Sequence, residues 1–180
     1  MPRICEKLNE NTTLKCLDLS MNKITGEGIK LLAASVRKNV SLELLGVGSM
    51  ELTIEELEPL LLEFGKVGIS EEEVKDLEAK IAERNTIVEK NKKAKGKKQE
   101  PVPIVNDLEK DDKGNYYEIR KPNFKQLNIG FNKLDENALE ILDRLMERTS
   151  DKFIVTMPSK YLTKEQCTNF LAKYNARVIS

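Results

Sequence analysis

The sequence predicts an α/β fold: a solenoid with parallel strands on its concave side and helices on its convex side, interrupted by one insertion. Three observations predict it. Residues 14–24 read LKCLDLSMNKI, an L-x-x-L-x-L-x-x-N-x-I strand-and-turn pattern. The same phase returns at Leu42 and again at Phe124. Each copy leads into apolar residues at helical spacing rather than into a second strand.

The elements follow in order. Ile4, Cys5 and Leu8 have the spacing of the last turns of a repeat helix whose strand lies upstream. No polar cap precedes them, so the chain is expected to be the C-terminal part of a longer array. Strand alternation then points Leu14, Leu17 and Leu19 into the shared core and leaves Lys15, Cys16, Asp18 and Ser20 outward. Asn22 stands where the chain leaves the strand, a place for a side-chain amide to satisfy backbone groups of the turns. Residues 25–39 are predicted helical, with Ile29, Leu32, Ala33 and Val36 on one face.

The period follows from two pairs. Asn11 and Asn39 are 28 residues apart, as are Leu14 and Leu42. In the second copy Glu43, Leu44 and Gly46 become the outward positions. Met50 replaces the turn Asn, so that turn is expected to be less regular. The helix over residues 53–64 opens with a T-x-x-E capping box, Thr53 and Glu56. The third copy, FKQLNIGFNKL at residues 124–134, presents Lys125, Gln126 and Asn128 outward. Its helix spans residues 135–149, with Ala138, Leu142 and Met146 in the places of Gly28, Leu32 and Val36. In a fourth copy Lys152 stands where Leu is expected, yet Val155 and Met157 keep the core phase. Lys160 occupies the Asn place. A helix over residues 163–174 opens with Thr163 and Gln166 and sets Phe170 and Tyr174 in phase; Val178 and Ile179 are expected to form a closing edge.

A strand plus a full helix within this period resembles the ribonuclease-inhibitor-like class of leucine-rich repeats. The resemblance covers residues 4–64 and 124–174. It divides the chain into repeats over residues 1–66 (the first incomplete), an insertion over residues 67–123, and C-terminal repeats with a closing helix over residues 124–180.

In the insertion, Ser70 and Glu73 form another capping box, and Val74, Leu77, Ile81 and Val88 follow a loose heptad that Arg84 breaks. Two heptads leave packing on the same chain and pairing with another chain both open. Lys90, Lys92, Lys93, Lys95, Lys97 and Lys98 follow in a segment expected to be a solvated, flexible extension, or an electrostatic contact for an acidic surface. The absence of interleaved aromatics or Arg disfavours base stacking, and hence nucleic acid. Residues 104–108 and 116–119 flank the turn-forming KDDKGN and predict a small hairpin.

Composition excludes several classes. Thirty basic residues balance thirty acidic ones, so net charge selects no partner. With no His, the chain cannot build a Ser-His-Asp triad or a His metal site. No phosphate-loop motif, calcium-loop pattern or metal-type Cys spacing is present, so no cofactor, metal or catalytic residue is assigned and an enzyme is not expected. Cys5, Cys16 and Cys167 read as reduced thiols of a cytoplasmic protein, and no apolar run reaches membrane-spanning length.

The resemblance therefore implies a non-catalytic scaffold that binds protein partners within a larger complex. Its outward residues Lys15, Cys16, Asp18, Ser20, Glu43, Leu44, Gly46, Lys125, Gln126 and Asn128 are the candidate contact set. Relatives of this type include a ribonuclease inhibitor, the activator of the Ran GTPase, and cytoskeletal and axonemal repeat proteins. The cytoskeleton and the ciliary axoneme are the locations that the Lys-rich interruption resembles most. A GTPase activator and a lysine-tethered microtubule or nucleic-acid binder are the alternatives.

Overall fold

The computed structural model describes residues 1–94, 100–102, 105–174 and 177–179. They divide into two compact units: one joins Met1–Gly65 to Lys121–Ser180, and the other spans Lys66–Arg120.

The first unit is a mixed α/β unit. Its strands are β1 (Cys16–Asp18), β2 (Leu44–Gly46), β6 (Gln126–Asn128), β7 (Ile154–Thr156) and β8 (Val178–Ile179), hydrogen-bonded in that order and parallel throughout. Strand β2 pairs directly with β6, so the intervening chain leaves the sheet unbroken. Helices α1 (Pro2–Glu10), α2 (Gly26–Lys38), α3 (Ile54–Leu61), α5 (Glu136–Arg148) and α6 (Lys164–Tyr174) pack against one another in the same succession. Leu45, Leu127 and Val155 stand at one register and are buried in a single apolar cluster with Ile29, Leu32, Leu57, Leu142 and Phe170 from the helices.

The helix starts are set by side chains. Thr25 caps α2 by accepting from the Gly28 N–H, and Thr53 with Glu56 closes the expected capping box on α3. Thr163 and Gln166 exchange the corresponding pair of bonds at α6.

One inward assignment changes. Leu14 is exposed, because β1 is the edge strand of the sheet among the described residues, and Ile4 on α1 is exposed as well. In the fourth copy the missing Leu is supplied one residue late. Phe153 is buried and stacks with Phe64 and Phe124 at centroid distances of 5.5 and 6.0 Å. The Lys152 misfit is thus a shift of one residue, absorbed by a larger ring.

The second unit holds a three-stranded sheet in the order β3 (Gly65–Gly68), β5 (Tyr116–Arg120), β4 (Asp107–Lys110), together with α4 (Glu71–Lys93). Strands β4 and β5 form the expected antiparallel hairpin. Its Asp111 carboxylate accepts from the N–H groups of Lys113 and Asn115 and from the Tyr117 hydroxyl, which fixes the turn and holds the carboxyl below its usual range. Strand β3 was not anticipated; GKVG carries too little alternation to mark a strand. Ile104 and Pro103 lie outside the described residues.

Of the α4 heptad stripe, Val74 and Leu77 are buried, while Ile81 and Val88 are half-buried. Arg84 donates to the Val105 carbonyl at 3.2 Å, and Asn91 exchanges two hydrogen bonds with the backbone of Glu100. Arg84, which breaks the heptad, and Asn91 thus tie the returning chain to the helix. Lys90, Lys92 and Lys93 belong to the last turns of α4, which corrects the expectation of a flexible extension from residue 89 onward. Their ammonium groups complement the helix C-terminus, opposite the acidic first turn of Glu71, Glu72 and Glu73.

Candidate interaction face

Parallel register sorts the outward residues into rows. Cys16, Leu44, Gln126 and Ile154 stand side by side, and Asp18, Gly46, Asn128 and Thr156 form the next row. Immediately before the strands, Glu43 lies between Lys15 and Lys125 and pairs with both, at 3.0 Å to Lys15. The two ammonium groups, Lys125 first, hold the Glu43 carboxyl below its usual range. Both lysines stay exposed, so the line carries surplus positive charge at the solvent boundary.

The next row is polar and shallow. Asp18 accepts from the Ser20 N–H at 2.9 Å, and interactions with Ser20 lower its pKa. Ser20 Oγ in turn accepts from the Gly48 N–H at 3.0 Å. Asn128 repeats the Asp18 role by accepting from the Gly130 N–H. A Cβ on Gly46 would collide with the Asp18 carboxylate, so this row leaves no room for a side chain on β2. Gln126 donates to Thr156 Oγ1 at 3.1 Å and joins β6 to β7.

Of the strand-face residues expected from the sequence, Cys16, Asp18, Leu44, Gly46, Gln126 and Asn128 lie in strands of one sheet, Lys15, Glu43 and Lys125 immediately precede those strands, and Ser20 follows β1. Ile154 and Thr156 extend the rows and were not assigned; the inward phase of Val155 and Met157 was the signal for them. Lys90, Lys92 and Lys93 belong to the other compact unit and are exposed, with Lys92 paired to Glu89 at 2.7 Å. Lys95, Lys97 and Lys98 lie outside the described residues.

The face is held in shape by ladders that the motif only partly announces. Asn39 donates to the carbonyls of Leu8 and Asn11 at 2.8 and 2.7 Å, and its Oδ1 accepts from the Ser41 and Leu42 N–H groups. Lys121 donates in turn to the Asn39 carbonyl. At the far end Arg177 binds the Met146 and Thr149 carbonyls at 3.0 and 3.3 Å. Arg148 does the same for Leu61 and Phe64 at the end of α3. Each side chain satisfies carbonyls that a helix C-terminus leaves without partners.

Among the described residues no group of His, Cys, Asp or Glu is arranged to hold a metal ion, and no helix is long and apolar enough to cross a membrane. A family model described as a leucine rich repeat matches residues 10–33. That stretch contains the first strand, its turn and most of α2, and it supports a leucine-rich repeat protein. No curated protein matches the chain.

Proposed function

We propose that this protein is a non-catalytic scaffold, a leucine-rich repeat solenoid whose open strand face binds a protein partner within a larger assembly. The observation that carries the reading is the assembly of the exposed Lys15 and Lys125 around the half-buried Glu43, in one line beside the row of Cys16, Leu44, Gln126 and Ile154. A partner laid across that face meets positive charge at its border and a mixed apolar and amide row inside it. Such a pattern supplies orientation through charge and contact area through Leu44 and Ile154. The location that goes with this reading is the cytoplasm, in a cytoskeletal or axonemal complex of the kind the repeat resembles.

The test is capture of partners from native cell extract on immobilised wild-type chain and on a K15Q/K125Q variant. Neutralisation is preferable to charge reversal, which would set two acids beside Glu43. The expected result is a protein retained by the wild type and lost from the variant, with the melting temperature nearly unchanged. Equal retention by both chains would sink the strand-face reading. Stimulated GTP hydrolysis by a Ran-type GTPase would replace it with the activator reading.

A further inference from the structure

Among the described residues, Met21 and Phe131 are the most exposed large apolar side chains, at 84% and 64%. They occupy the same place in the repeat, the residue before the turn Asn, and Ser49 holds the equivalent place between them. Their backbone N–H groups form successive rungs: Met21 donates to the Gly48 carbonyl, Ser49 to that of Gly130, and Phe131 to that of Pro158. Met21 and Phe131 are therefore two rungs apart, about 10 Å at the usual strand spacing. All three residues have left-handed backbone, with φ of 62°, 55° and 56°.

Neither backbone nor core explains these side chains. A left-handed φ favours Gly or Asn, and an exposed Met or Phe contributes little by burial. The left-handed φ recurs at this place in the repeat, so the turn holds the two exposed apolar side chains at a fixed spacing where a partner can reach them. On the next turn Ser159 holds that place, and Tyr161, two residues on, is exposed with the Lys160 ammonium 5.3 Å from its ring centre. Over residues 20–23, 48–51, 130–133 and 158–161 the charged side chains are Lys23, Glu51, Lys133 and Lys160. The three lysines outnumber the single acid, which lies 4.0 Å from Lys133.

We propose that the row Met21, Ser49 and Phe131 docks an acidic segment of a protein partner. Its apolar side chains seat beside Met21 and Phe131 over the small Ser49, and its carboxylates face Lys23, Lys133 and Lys160. Met and aromatic residues are the anchors that dominate such contacts, and the surrounding charge selects the sign of the partner. The inference rests on the scaffold reading and adds a second edge to it, with the chemistry of what binds there.

The probe is a phage library of random dodecapeptides panned on the full chain, followed by synthesis of the enriched sequence. The comparison variants are M21N/F131N and K15Q/K125Q. Asn suits a left-handed φ, so M21N/F131N is expected to melt at or above the wild-type temperature. Enriched peptides should combine Asp or Glu with Leu, Phe or Met. They should bind M21N/F131N about tenfold more weakly than wild type, and weaken with salt. Neutral or basic peptides, an empty selection, or undiminished binding to M21N/F131N would overturn the proposal. So would a lower melting temperature for that variant, which would make the two side chains structural. Affinity lost only on K15Q/K125Q would move the site to the strand face and leave the scaffold reading standing. Affinity lost on neither variant would count against both.

Discussion

Asn22 and Asn132 sit at the same place in the repeat, in SMNKI and GFNKL, yet they carry different weight. Asn132 is buried and makes four hydrogen bonds. Its amide donates to the Val47 and Ile129 carbonyls, and its Oδ1 accepts from the Met50 and Leu52 N–H groups at 3.0 and 3.2 Å. Asn22 is exposed, and among the described residues its side chain donates to the Leu19 and Ser20 carbonyls of its own turn. The difference teaches that the motif letter marks a position, whereas the neighbouring turn decides its energy. It also explains why Met50 is tolerated where Asn was expected. Asn132 reaches across and satisfies the Met50 turn, which keeps its left-handed Ser49 and adds a second such residue, Glu51.

The sharpest way to break the comparison is N132A. Four buried backbone groups across two turns would lose their partner, at a cost of roughly 3–4 kcal/mol. Urea unfolding followed by circular dichroism measures it. A loss below 1 kcal/mol, on the same order as an ordinary surface change, would show that water replaces the amide and that the two Asn positions are equivalent.

Gly65 tests the same interior from its helix layer. Its φ is +81°, and a Cβ there would collide with the Arg148 carbonyl oxygen. G65A is expected to cost about 2–3 kcal/mol through the strained backbone and the displaced end of α5. It should also disturb Arg148, which holds the Leu61 and Phe64 carbonyls. A wild-type denaturation midpoint would mean that this junction relaxes freely.

Much of this contrast was legible in the sequence, and its limits are physical. The inward phase of Leu19, Leu127 and Ile129 and the Thr53, Ser70 and Thr163 caps depend on local spacing, which a sequence displays directly. Leu14 was misassigned because its burial depends on what stacks beyond β1, and no local pattern carries that information. Phe153 was missed because a strict 28-residue step selects Lys152, whereas packing accepts a ring one residue later. Arg148 and Arg177 were missed because they perform an Asn39-like task with another side chain, and only the carbonyls they meet reveal it. Arg84 looked like a defect in a heptad until the Val105 carbonyl supplied its partner.

Lys121 offers a subtler probe of the interior. Burial pushes its ammonium down to about 8 from an ordinary value of 10.5, against the attraction of Glu63. Below about pH 8 both the folded and unfolded states hold the proton, and the cost of burying the charge is present in full. Between about 8 and 10.5 the unfolded chain binds more protons than the folded one, so this group makes stability rise with pH. Because Lys173, Tyr117 and Tyr174 are shifted upward and also contribute at high pH, the informative quantity is the difference between wild type and K121M. That difference should slope upward across the window, in favour of the wild type. Parallel curves would show that the amine reaches water in the folded state.

The smallest expected effect completes the comparison. N22A removes two bonds from an exposed turn, where water can take the place of the amide, and should cost about 0.5–1 kcal/mol. The Met21 N–H would keep its partner, because it donates to the Gly48 carbonyl and not to Asn22. The apolar turn row should therefore survive the change, and peptide binding at that row should stay within about twofold of wild type. A cost equal to that of N132A would mean that Asn22 supports the edge as strongly as Asn132 supports the interior. Position in the repeat, rather than burial, would then set the value of the Asn.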